Sequence, residues 1–68
     1  MSVTLIAPAG KFRVVGVDTF DGEDWIEGDF DSEDEAKEHA SKRTQGAEML
    51  KMHIYNDKGH NLADYGRF

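Results

Sequence analysis

Three kinds of side chain in this 68-residue chain could do chemistry, and each points to a different activity. The first is carboxylate. Ten acids lie between Asp18 and Glu35 (Asp18, Asp21, Glu23, Asp24, Glu27, Asp29, Asp31, Glu33, Asp34 and Glu35), with no Lys or Arg among them. A compact acidic loop can hold a hard cation, and Asp18 to Asp24 is compact and acidic. Its spacing around Gly22 nevertheless places Val17 and Thr19 where an EF-hand needs acids. A weak, unspecific association with divalent cations is the alternative that remains. The second kind is imidazole. His39, His53 and His60 fall on three different surfaces of the expected fold, so they do not converge on a metal. The third is hydroxyl. Ser32 is better explained as a helix cap than as a nucleophile, and no pocket is expected that would tune a carboxylate upward. The glycines are dispersed and build no phosphate loop. A non-enzymatic chain without cofactor, catalytic residue or metal ligand is therefore expected.

The elements that would position these groups follow from periodicity. Ala7 to Gly10 reads as a turn, with Pro8 at its second position, and Thr4–Ile6 ahead of it as a short extra strand. Lys11–Val17 is a β run with Phe12, Val14 and Gly16 on one face and Arg13, Val15 and Val17 on the other. Trp25–Phe30 alternates, which sends Ile26, Gly28 and Phe30 inward and Trp25, Glu27 and Asp29 outward. The two runs should form a hairpin through the polar connection Asp18–Asp24.

Ser32 followed by Glu35 is a capping box, and the acids around it suit the positive end of a helix. A helix is expected from Glu33 to Thr44 or Gln45, with Gly46 as its left-handed stop. It offers the core only Ala36 and Ala40, so its docking should be weak. Leu50–Tyr55 is the next strand, with Leu50, Met52 and Ile54 inside and Lys51, His53 and Tyr55 outside. Asn56–Gly59 fits a type I turn followed by a left-handed glycine. His60–Tyr65 returns, with Ile54 opposite Leu62, and residues 66–68 form a tail that docks by Phe68 or frays.

The fold class is thus α+β: one domain, residues 1–68, in the order β-β-α-β-β. A mainly antiparallel sheet carries one helix on one face. The expected core is Phe12, Val14, Ile26, Phe30, Ala36, Ala40, Leu50, Met52, Ile54 and Leu62.

The run Phe30-Asp31-Ser32 to Glu35-Ala36, then Met52 to Gly59, then Tyr65-Gly66, resembles a pattern in short uncharacterised bacterial domains. In those a strand leads into a capped helix and then a hairpin. The resemblance covers about the last two thirds of the chain and rests on patterning and turn residues. It implies the fold order and no activity.

Composition narrows the partners. The net charge of −6, with the acids clustered, is the reverse of the basic stripe that nucleic acid requires. No run approaches the ~20 apolar residues that span a bilayer. The start of the chain lacks the features of a secretory signal. Without cysteine there are no staples, so a reducing, cytoplasmic location is expected.

One helix covers one sheet face. The other face should expose Arg13, Val15, Val17, Trp25, Lys51, His53 and Tyr55, with Glu27, Asp29, Ala63 and Tyr65 nearby. An aromatic patch rimmed by charge is the mark of a protein-binding surface. The competing readings are that residues 3–6 or the tail fold over this face, that the exposed aromatics are incidental, or that a second copy covers it as a homodimer. A different reading of the acids is a nucleic-acid mimic that occupies a basic site on another protein. Another is adaptation of the whole chain to high salt.

Overall fold

The computed structural model describes residues 6–46 and 49–66. Its elements are β1 (Phe12–Asp18), β2 (Glu23–Phe30), α1 (Glu33–Thr44), β3 (Leu50–Tyr55) and β4 (Asn61–Gly66). The sheet is antiparallel throughout, in the order β2-β1-β3-β4, with β1 and β3 in the middle. The α+β class and the β-β-α-β-β order read from the sequence are what the structure shows. Thr4 and Leu5 lie outside the described residues, and Ile6 belongs to no strand. Arg67 and Phe68 also lie outside them.

The helix forms where its caps dictate. Ser32 is the N-cap, and its hydroxyl oxygen accepts from the Glu35 backbone N–H at 3.1 Å. Glu35 does not reach back to the cap's own backbone, as a full capping box would. Its carboxylate instead accepts from the Ser32 hydroxyl at 3.2 Å. Acids fill the first turn and Lys42 and Arg43 the last, each matched to the helix dipole.

The hydrophobic core joins Val14, Met52 and Ile54 of the two central strands to Ala36 and Ala40 of the helix. Phe12, Trp25, Phe30, Leu50, Ala63 and Tyr65 pack around it. Two residues expected inside are not there. Ile26 is 43% exposed and Leu62 is 37% exposed. Trp25 on β2 and Ala63 on β4 take the places on the helix side that simple alternation assigns to them.

The reason is a bulge in each edge strand. On β2 the register steps from Val14↔Gly28 to Val15↔Ile26, leaving Glu27 without a partner on β1. On β4 it steps from Ile54↔Ala63 to Tyr55↔Asn61, leaving Leu62 as the extra residue. An extra residue reverses the inward–outward alternation beyond it. Ala63 and Tyr65 therefore face the helix rather than the open side, and Ala63, not Leu62, sits opposite Ile54.

The turns follow residue chemistry. The first is hydrogen-bonded from the Lys11 N–H to the Pro8 carbonyl, one residue later than the sequence suggests. Gly10 occupies its third position with φ of 75°, which an L side chain rarely adopts. The β3–β4 connection is the expected turn from Asn56 to Gly59, with Gly59 at φ of 80°. The Asn56 side chain accepts from the N–H groups of Lys58 and His60, each at 2.9 Å. The Gly10 N–H donates to Asp57, which ties the first turn to this hairpin.

Candidate functional site: the sheet face opposite the helix

The bulge in β2 decides what this face contains. Gly16 on β1 lies opposite Trp25, and a Cβ at Gly16 would meet the indole ring at 2.5 Å. Trp25 thus lies flat over a glycine on the helix side. Its Nε1 donates to Glu27 at 2.9 Å. The Glu27 carboxylate also meets the His39 ring at 3.1 Å and pairs with Arg43. Trp25 and Glu27 were expected on the open face, and the structure corrects both. Burial alone would push the Glu27 carboxyl up, but hydrogen bonds from Arg43, Trp25 and His39 outweigh it and hold its pKa below the ordinary value. This cluster clamps α1 to β2, where the two small alanines provide little area.

The same phase change brings Ile26 to the open face, opposite Val15. Across the sheet the rows on this face are Asp29, Arg13 and Tyr55; then Ile26, Val15, His53 and Asp64; then Asp24, Val17 and Lys51. Arg13, Val15, Val17, Lys51, His53 and Tyr55 share the face as the sequence indicates. Val15 is a further correction, because at 2% exposed it forms the floor of the face and offers no contact area. It sits on a central strand with side chains on every side.

The polar groups of this face are engaged with one another. Arg13 forks onto Asp29, with Nε to one oxygen at 2.7 Å and a terminal nitrogen to the other at 3.1 Å. That pairing lowers the Asp29 carboxyl and raises the Arg13 guanidinium. His53 Nδ1 lies 2.6 Å from Asp64, which also accepts from the Asn61 amide at 2.9 Å. The His53 hydrogen bond holds the Asp64 carboxyl low. Burial, then the Asp64 charge, push the Tyr55 hydroxyl up. One oxygen of Asp24 is enclosed and makes no hydrogen bond among the described residues.

The arrangement is an apolar patch within a charged border. Its apolar area comes from Val17, Ile26 and the ring of Tyr55, bordered by paired charges. On the helix flank an open hollow of about 340 Å3 is lined by Phe30, Glu35, Glu38, His39 and Lys42. Three of those groups are already paired, Glu38 and Lys42 with each other at 2.9 Å and His39 with Glu27. Among the described residues no three His, Asp or Glu side chains are placed to hold a metal ion. None of the described helices is long and apolar enough to cross a membrane. Alternation missed Ile26, and a β2 run with a glycine near its middle was the available signal, since a strand glycine often marks a bulge. Comparison with protein-family models, curated proteins and solved structures gave no match.

Proposed function

We propose that this chain is a non-enzymatic module that binds a protein partner through the sheet face opposite its helix. Val17, Ile26 and Tyr55 supply the apolar contact. Arg13, Lys51 and His53 supply the polar border. The observation that carries the reading is Ile26, a β-branched residue that the bulge turns away from the core to stand 43% exposed beside its sheet neighbours. An exposed apolar side chain on the edge strand, on a face whose charges are already paired, gives a partner a surface to desolvate at little ordering cost. Arg13 is fixed on Asp29 before any partner arrives, so less side-chain freedom is lost on binding.

The acidic-mimic reading is less well supported. Glu27, Asp29, Asp31 and Glu33 each lie in an ion pair, with Arg43, Arg13, Lys11 and Lys37 respectively. With four of the ten acids of the run neutralised in this way, the carboxylates left over are an uneven copy of the regular charge of a phosphate backbone.

The test is site-specific photo-crosslinking in intact cells. A benzophenone side chain replaces Ile26 in one variant and Glu38, on the outer face of α1, in another. A discrete adduct with a second protein from position 26 and none from position 38 supports the reading. An adduct of twice the chain's own mass would make the face a homodimer interface. Equal labelling from both positions would refute a specific face.

A further inference from the structure

The most exposed large hydrophobic among the described residues is an aromatic that is not on the sheet face. Phe20, at the tip of the β1–β2 hairpin, is 79% exposed. Exposure of a phenyl ring to water is unfavourable by its apolar area, and a loop position offers many polar alternatives. Nor is the ring on a slack segment. The Asp18 carboxylate accepts from the N–H groups of Phe20 at 2.9 Å and Asp21 at 3.3 Å. The Gly22 N–H closes the turn on the Asp18 carbonyl at 2.8 Å. Thr19 is tied by its N–H, at 2.8 Å, and its hydroxyl, at 3.1 Å, to the carbonyl of Met49. Met49 is itself 52% exposed. Two large apolar side chains thus stand at one end of the sheet, Phe20 on a braced turn and Met49 just before β3, where its carbonyl holds that turn.

Charge says what would receive them. The ion pairs that neutralise the acidic run lie at Glu27, Asp29, Asp31 and Glu33. Asp18, Asp21, Glu23 and Asp24, which surround Phe20 in the chain, take part in none of the salt bridges among the described residues. The result is an apolar tip inside a negative field. An anionic lipid surface or a nucleic acid would be repelled. A protein surface with an apolar pocket and a Lys/Arg rim would be attracted by the field and held by the ring.

We infer that the β1–β2 hairpin tip is an anchor, with Phe20 and Met49 entering an apolar pocket rimmed by basic residues on a partner protein. The inference rests on the reading that the chain binds protein. It adds a second surface, which can fail while the sheet face stands. Phe20 carries most of the affinity, and the acids set the association rate and its dependence on salt.

The test uses the full chain, labelled with 15N, and two defined probes. One is a short peptide of alternating lysine and leucine. The other has serine at each leucine and the same charge. The expected result is that amide shifts concentrate at residues 19–22 and 49. The leucine peptide should bind about tenfold tighter than the serine peptide, and Phe20→Ser should remove that advantage. Raising salt from about 50 to about 500 mM should weaken both peptides. Equal affinity for the two peptides, or indifference to Phe20→Ser, would overturn the anchor and leave only unspecific charge attraction. Shifts centred on Ile26 and Tyr55 would overturn the tip while leaving the sheet face in place. Failure of both peptides to bind would overturn the inference.

Discussion

Substituting Gly16 by alanine should expose the arrangement on which the assignment of faces depends. The added methyl would lie 2.5 to 2.7 Å from three atoms of the Trp25 indole, well inside van der Waals contact. Because Gly16 is on a central strand, the backbone cannot retreat without loosening both of its ladders. The indole would have to swing away, giving up its bond to Glu27 and its packing on the core. Overpacking of this kind costs about 1–3 kcal/mol. A chain of this length has a total stability of about 3–10 kcal/mol, so the loss would be easily measured. The decisive comparison is the double-mutant cycle with Trp25→Ala. With the indole gone, the three atoms that crowd position 16 are removed, and the second substitution should cost nothing or gain about 0.5 kcal/mol, as alanine replaces glycine in a strand. The coupling should therefore be about 1–3 kcal/mol. Urea unfolding followed by far-ultraviolet circular dichroism measures all four proteins without relying on the only tryptophan. Effects that add to within about 0.5 kcal/mol would show that Trp25 does not lie over Gly16, and simple alternation along β2 would be right after all.

Four further outcomes follow from the same contacts. Ser32→Ala should cost about 1 kcal/mol by removing the acceptor for the Glu35 N–H, and the loss should show in urea unfolding. Stability should fall as the solution is acidified. Glu27, Asp29 and Asp64 have folded pKa values below their ordinary ones, so their contribution is complete above about pH 5 and is lost as pH drops through and below about 4. Glu27→Gln should lower stability near neutral pH by about 1–2 kcal/mol and flatten the acid limb of the profile. An acid limb unchanged by that substitution would remove Glu27 as the clamp. Ile26→Asp should leave the unfolding midpoint nearly where it was, whereas Trp25→Ala should lower it clearly, the reverse of what alternation predicts.

The fold was legible in the sequence because its strongest signals are local. Ser32, the acids after it and Gly46 bracket the helix to within a residue of where it lies. Asn56 and Gly59 announce the last hairpin, and Val14, Met52 and Ile54 mark the central strands. What the sequence hid lies in the edge strands. A bulge depends mainly on how two strands meet, and Gly28 was the one residue that hinted at it, so Trp25 and Ile26 exchanged faces, as did Leu62 and Ala63. The candidate face was read partly correctly for the same reason. Positions on β1 and β3, which carry no extra residue, were placed on the right side, and the one on β2 was not. Val15 was on the correct face, but its burial comes from neighbours that a single strand's pattern does not reveal. The anchoring of α1 through Glu27 was equally hidden, since it joins residues 12 and 16 positions apart across two elements.

The binding face itself can be tested with three resonances. The chain contains three isoleucines, Ile6, Ile26 and Ile54. Ile54 is enclosed in the core, and Ile6 lies beside the Gly59 turn. Ile26 is the one that stands on the face opposite the helix, on the edge strand β2 beside Val15. Methyl-labelled protein in a perdeuterated background, mixed with lysate from its own source, should show the Ile26 resonance moving while Ile54 and Ile6 keep their positions. If Ile26 holds its position while either of the others moves, or if all three are unchanged, the sheet face is not where this protein meets its partner.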